Sequence, residues 1–109
     1  MTTLAQRHCS RETALLDPAQ VQAYLSELQD WYVINDGKSI QRQFRFKDYE
    51  QTLAFVNAVA GIAQAEDHHP DISFGYNRCE VRFSTHSVNG LSENDFICAA
   101  RIDALSSDT

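Results

Sequence analysis

Long apolar runs are missing from this 109-residue sequence. Nothing approaches the roughly 20 consecutive apolar residues that span a bilayer, and Met1 to Ser10 hold no apolar stretch of the about 7 to 15 residues found in a secretory leader. A soluble, cytoplasmic protein without a membrane partner is the expectation. Glycine is scarce at four residues, and neither a Gly-rich phosphate loop nor a nucleophile elbow occurs. Basic charge is also short: nine Lys and Arg against fifteen Asp and Glu leave a net charge of −6. No cationic cluster stands out to track a phosphate backbone, which argues against nucleic acid as a partner. Three cysteines, Cys9, Cys79 and Cys98, are odd in number and widely spaced. With no Cys-x-x-Cys pair they suggest neither a disulfide framework nor a zinc knuckle, and a reducing compartment fits. Repeats, low-complexity segments and linkers are absent.

What is present reads as one domain. A chain of 12.3 kDa can bury about two-thirds of the surface it exposes when unfolded. Residues 1–16, polar and irregular apart from Leu4, Leu15 and Leu16, are expected to form a mobile arm with a short docking strand or turn. Residues 17–109 form the domain. Asp17-Pro18-Ala19-Gln20 is a helix start, with a capping box from Asp17 and Gln20 and proline at the first helical position. Val21, Tyr24, Leu25 and Leu28 then make one apolar stripe, and this helix is expected to reach Gln29. Trp31 to Ile34 and Ile40 to Phe46 flank Asn35-Asp36-Gly37-Lys38, whose Asp-Gly step tolerates the positive φ of a type I′ hairpin turn. Asp48 and Gln51 repeat the capping pattern before Leu53, Val56, Ala60 and Ala63, a stripe widened by Phe55, Val59 and Ile62. Pro70 disfavours helical geometry at His69, so this long helix ends near Asp67 or His68.

Beyond it Ile72, Phe74 and Tyr76, then Cys79, Val81 and Phe83, alternate apolar with polar, the period of a strand buried on one face. With Asn77-Arg78 as the turn, Ile72 meets Phe83, Phe74 meets Val81 and Tyr76 meets Cys79, apolar against apolar. That register sets His69 opposite His86. Val88 to Leu91 form a turn, Ser92 caps a third helix with Glu93 and Asp95 in its first turn, and Phe96, Ala99, Ala100 and Leu105 supply its buried face. The fold class expected is α+β: a two-layer domain with a four-stranded antiparallel sheet and helices on one face, in the order α-β-β-α-β-β-α.

Three of the four histidines, His68, His69 and His86, fall within nineteen residues beside Glu66, Asp67 and Asp71. His8, alone in the arm, reads as solvated. The three imidazoles admit two functional readings. A metal site is one, histidine being a common zinc ligand, but adjacent His68 and His69 point in different directions and no His-x-x-x-His spacing occurs. The other is general acid and base catalysis without metal, since imidazole titrates near working pH.

Asp67-His68-His69-Pro70-Asp71, Tyr76-Asn77, Ser84-Thr85-His86, Gly90-Leu91-Ser92-Glu93 and Asp95 together resemble the pterin-4a-carbinolamine dehydratases. Phe44 to Tyr49 and Phe55-Val56 are similar to the same family, and the resemblance covers roughly residues 15–105. It implies a hydro-lyase, 4a-hydroxytetrahydrobiopterin dehydratase, that removes water from the 4a-hydroxytetrahydropterin left by aromatic amino-acid hydroxylases and yields quinonoid dihydropterin. No metal or organic cofactor is implied, and a homo-oligomer, dimer or tetramer, is. By matching position His68, His69 and His86 are the active-site histidines, with Asp67, Ser84 and Thr85 at the pterin. In this reading His68 and His86 are the proton-transfer pair and His69 positions the ring. Gln64, where an acidic residue is common, and Ile72, where a large aromatic is common, depart from the pattern and bear on which tetrahydropterin is preferred. Animal members also bind a transcription factor and stabilise its dimer, so an interaction module is the alternative reading.

Overall fold

The computed structural model describes residues 3–106. The Asp17 carboxylate accepts the Gln20 N–H at 2.8 Å and Gln20 Oε1 accepts the Asp17 N–H at 2.9 Å. With Pro18 in first place, this capping box opens helix α1 (Pro18–Leu25). The expected extension to Gln29 does not occur. The N–H groups of Glu27 and Leu28 turn to the carbonyls three residues back, and that of Gln29 is drawn to the Asp103 carboxylate at 3.0 Å. A tertiary hydrogen bond thus replaces the last helical turn.

Strands β1 (Tyr32–Ile34) and β2 (Ser39–Arg45) pair across a turn whose central residues, Asp36 and Gly37, have φ of 56° and 83°. Both values are those an Asp-Gly hairpin turn requires. Helix α2 (Tyr49–Glu66) starts where Asp48 accepts the Gln51 N–H at 2.9 Å, while Gln51 reaches back to the Lys47 N–H. Its buried face is Thr52, Val59 and Ala63 with half-buried Phe55, Val56 and Ile62. Leu53 and Ala60, expected on that face, point to solvent. A polar tether lies on the buried face: the Thr52 hydroxyl shares its hydrogen between the Asp48 and Tyr76 carbonyls, each at 2.9 Å, tying this face to the turn that follows.

Strands β3 (Asp71–Phe74) and β4 (Arg78–Phe83) complete an antiparallel sheet of order β1-β2-β4-β3 with the helices on one face. The register differs from the expected one. Ile72 faces Val81 and Phe74 faces Cys79, because the turn is Tyr76-Asn77, closed by Gly75 N–H donating to the Arg78 carbonyl at 3.0 Å. The slip is two positions along the partner strand, so apolar still meets apolar and no side chain changes face. Its consequence is at the open end, where His69 is no longer level with His86. Phe83 is core as expected, but Phe74 is 39% exposed and Tyr76, in the turn, 65%. β3 is an edge strand, and these two rings lie with Tyr49 in a surface group, centroids 6.4 Å from it.

The core gathers Trp31, Ile40, Phe44, Val59, Val81, Phe83, Phe96 and Ile102. Trp31 meets Phe44 edge-on at 6.3 Å and Phe83 at 6.1 Å, and full burial of such rings stabilises by about 1.5–3 kcal/mol each. Helix α3 (Glu93–Ser106) is buried on nearly every side through Phe96, Ile97, Cys98 and Ala99. α2 lies against it, and the N-terminal segment covers its outer face. Leu4 is 3% exposed, Asn94 exchanges hydrogen bonds with the Ser10 backbone at 2.7 and 3.0 Å, and the Arg101 guanidinium donates to the Arg7 carbonyl. No helix among the described residues is long and apolar enough to cross a membrane.

Candidate active site

The site begins where α2 stops. Asp67 takes a left-handed conformation, φ 52° and ψ 41°, and its N–H and that of His68 both return to the Ala63 carbonyl. Pro70 keeps His69 from continuing the helix. Reversed in this way, the chain buries one imidazole and exposes the next. The His68 side chain is 12% exposed, stacked flat on Phe83 with centroids 5.7 Å apart and planes 8° from parallel. His69 is exposed.

His68 Nε2 lies 2.6 Å from Oδ1 of Asp95, whose side chain is wholly buried in the first turn of α3. Oδ2 of Asp95 accepts the Ser92 N–H at 2.9 Å and the Thr85 hydroxyl at 2.8 Å. Thr85 and Ser92 hydroxyls are themselves 2.8 Å apart. Because Thr85 donates its single hydroxyl hydrogen to Asp95, Ser92 donates to Thr85, and the chain of donors ends on the carboxylate. A carboxylate can only accept, so His68 carries a proton on Nε2 and Nδ1 is the nitrogen left to exchange one. The helix N-terminus adds its partial positive charge beneath the buried anion.

Thr85 owes its place to a narrow return of the chain. It exchanges backbone hydrogen bonds with Gly90 at 2.8 and 3.3 Å, closing a loop that contains the 3₁₀ turn His86–Val88 and left-handed Asn89. Beside Gly90 lies the tip of the Leu15 side chain, which is itself exposed. His86 therefore sits in this turn, exposed, not at a strand end facing His69.

A cavity of about 460 Å³ opens over His68, bounded by Asp67 and Glu66 at the end of α2, by Thr85 and Ser87, by Asn94, and by Cys9, Ser10, Arg11 and Thr13 of the N-terminal segment. A second hollow of about 220 Å³ is lined by Ser84, Thr85, His86 and the β1–β2 turn. The residues singled out in the sequence thus divide: Asp67 and His68 line the first, Ser84 and His86 the second, Thr85 both, and His69 neither. Among the described residues no three His, Cys, Asp or Glu side chains converge as a metal-binding group. Burial alone would raise the Glu66 carboxyl, but the Cys9 N–H at 2.7 Å, His8 and Arg101 outweigh it and hold the group below the usual 4.5. His8, expected to be merely solvated, pairs with Glu66 at 2.9 Å while remaining 77% exposed. Cys79, deep in β4, has its thiol pushed up to about 11 by burial, which leaves it a core residue.

The model of the pterin 4 alpha carbinolamine dehydratase family matches residues 14–105. The chain belongs to that family. It is 48% identical over 105 residues to a protein of Nitrosospira multiformis, covering 96% of this chain and 91% of the relative. With one from Bdellovibrio bacteriovorus it shares 56% over 94 residues, 83% and 77% of the two chains. Both carry the dehydratase name by assignment. A crystal structure from Brucella melitensis, described as a transcriptional coactivator/pterin dehydratase, superposes with a TM-score of 0.79 at 33% identity over 83% of this chain and 96% of that one. A pterin dehydratase-like protein described as a RuBisCO assembly factor in the alpha-carboxysome gives 0.63 at 29%, over 72% and 90%.

Asp95 and Ser92 are the residues that sequence reasoning underrated. Both stand in the family pattern, yet the sequence marks Asp95 only as a first-turn acid. The signal was the Ser92-x-x-Asp95 spacing, a reciprocal capping pattern that draws the carboxylate back over the helix start. What the spacing does not contain is the histidine that meets it from the end of α2.

Proposed function

We propose that the protein removes water from a 4a-hydroxytetrahydropterin, so recycling the pterin of an aromatic amino-acid hydroxylase. The observation that carries the proposal is His68, held by buried Asp95 in one tautomer at the wall of a cavity large enough for a bicyclic ring. In the reaction the C4a–O bond breaks, the departing hydroxyl takes a proton from an imidazolium and leaves as water, and a neutral imidazole takes the proton from N5. The product is the quinonoid dihydropterin, and one proton given for one taken leaves the enzyme unchanged overall. His68 and His86 are the donor and acceptor, His69 positions the ring, and Asp67, Ser84 and Thr85 bind the pterin. Thr85, shared by both hollows, supports a substrate that spans them. The chemistry asks for no metal: a bound ion would occupy the lone pairs the imidazoles use.

Freshly generated 4a-hydroxytetrahydropterin, followed by absorbance, should decay faster with the protein than without it, and treatment with a strong chelator should leave that rate unchanged. Decay at the uncatalysed rate would refute the proposal. Edge strands β1 and β3 carry unpaired backbone groups, which supports a homo-oligomer; sedimentation at micromolar concentration should show a species heavier than 12.3 kDa. A second reading is an interaction module, a dimerisation cofactor or coactivator of a transcription factor. The exposed Tyr49, Phe74 and Tyr76 beside the β3 edge and the coactivator description of the Brucella relative favour it. Capture of a DNA-binding protein by the wild type, lost on Tyr76→Ser with dehydration retained, would support that role.

A further inference from the structure

The three cysteines sit in unlike places, and two of them touch. Cys98 is fully buried in α3; Cys9 is half-buried on the N-terminal segment, at the cavity wall beside Ser10 and Arg11. Their sulfurs are 3.4 Å apart although 89 positions separate them in sequence. The Cys9 thiol donates to the Asn94 carbonyl at 3.6 Å, so the Cys98 thiol donates to Cys9. That hydrogen bond, with burial, pushes the Cys98 thiol up, so it gives up its proton only in attacking an oxidised Cys9.

We infer that Cys9 and Cys98 are a reversible redox pair which, under hydrogen peroxide, closes to a disulfide and staples the N-terminal segment to α3 at the edge of the cavity. The two sulfurs need to approach by only about 1.4 Å to reach the ~2.05 Å of a disulfide bond. Cys9 can supply that movement, because its stretch of chain is irregular while Cys98 is fixed in a helix. The half-buried thiol meets the oxidant first. Cys9–SH reacts with hydrogen peroxide to give Cys9–SOH and water: the peroxide O–O bond breaks and sulfur is oxidised by two electrons. Cys98 sulfur then attacks Cys9 sulfur, the hydroxide leaves with the Cys98 proton as a second water, and the S–S bond forms. A small dithiol returns both groups to thiols by exchange and is itself oxidised to its cyclic disulfide. Such a pair fits a reducing compartment, where disulfides are transient and sensing rather than structural.

The segment is already docked through the Cys9 N–H on Glu66 and the paired bonds between Ser10 and Asn94. Oxidation therefore does not create the docked state but locks it until the disulfide is reduced. The pair is independent of the reaction proposed above, since neither sulfur is asked to touch the pterin.

The test uses the full chain, treated with a small excess of hydrogen peroxide, then denatured and alkylated. We expect an intact mass short by two hydrogens, one alkylated cysteine, Cys79, and a tryptic cross-link joining the Cys9 and Cys98 peptides. Dithiothreitol should restore three alkylated cysteines. Cys9→Ser, a change on the irregular segment, should abolish the cross-link and leave Cys79 and Cys98 alkylated. The oxidised wild type should also melt at a higher temperature than the reduced one, with no such shift in Cys9→Ser. Three alkylated cysteines after oxidation, Cys9 carried to sulfinic acid without a cross-link, or a disulfide between two chains would each overturn the pair. A cross-link with unchanged melting would overturn the staple.

Discussion

Helix α3 carries two buried aspartates, Asp95 in its first turn and Asp103 eight residues further on. Asp103 accepts from the Trp31 indole at 2.8 Å, the Gln29 N–H at 3.0 Å and the Arg42 guanidinium at 2.6 Å. Arg42, 4.4 Å above the Phe44 ring and 13% exposed, is always charged. Asp95 accepts from two neutral donors and from His68, the one partner able to lose its proton, and His68 borders a cavity. The two carboxylates are buried alike and satisfied alike. What separates them is the partner: a permanent cation makes a structural tie, whereas an imidazole open to a cavity makes a group that can work. Burial of a charge alone is thus no mark of function.

The largest effect expected from this contrast is on stability. Asp103→Ala leaves the Arg42 charge buried without its nearest carboxylate, and breaking such a pair costs about 3–5 kcal/mol. Thermal denaturation followed by circular dichroism should show the melting point falling by roughly 15–25 °C, with the dehydration rate per folded molecule unchanged at low temperature. A small shift would mean that the tie is ornamental.

Next comes the inverse case. In Asp95→Asn the amide can donate to His68 Nε2 and so favour the opposite tautomer, and the rate should fall about 10²-fold, the lower end for a general acid or base, because a carbinolamine already loses water in solution. His68→Ala and His86→Ala should each lose a similar amount. The double variant should lose less than the product of the two, and each single variant should lose one limb of the pH profile of kcat/KM. Wild-type rates and an unchanged profile in both would remove the acid-base assignment.

Thr85→Val should give a smaller change of about 1–2 kcal/mol, since it removes one hydroxyl donor from a buried carboxylate and leaves Ser92 without its acceptor. Its rate should drop less than tenfold, a result that would rank the histidine above the hydroxyl among the partners of Asp95.

The smallest effect concerns Glu66, which differs from both aspartates in holding the N-terminal segment. Its folded pKa lies below 4.5, so protonation is harder in the folded chain than in the unfolded one. The stability it contributes is present above the unfolded value and is lost as pH falls through the folded one. Wild type and Glu66→Gln, melted at a series of pH values from neutral to strongly acid, should therefore converge at the acid end. Parallel curves throughout would show that the carboxylate carries no such stability.

Local chemistry determined much of this molecule from sequence alone. Asp17 with Gln20, Asp48 with Gln51, Asp36-Gly37 and Pro70 set where helices start, where a hairpin turns and where α2 must stop, because each acts through atoms within four residues of itself. Alternation set which side chains of β4 face the core, Cys79, Val81 and Phe83, but not that Phe74 and Tyr76, on the edge strand and its turn, lie exposed. It could not set the offset between β3 and β4, since a slip of two positions keeps every apolar pair apolar; the Tyr76-Asn77 turn is instead held by tertiary bonds, from Thr52 of α2 to the Tyr76 carbonyl and from the Phe46 N–H to the Asn77 carbonyl. The same limit applies at the site. The histidine cluster and the family pattern were legible, but the meeting of His68 with Asp95 across 27 residues, and of Cys9 with Cys98 across 89, depends on how α3 lies against the end of α2 and under the N-terminal segment. Those distances are decided by the shapes of surfaces brought together from far along the chain, and no local period carries them.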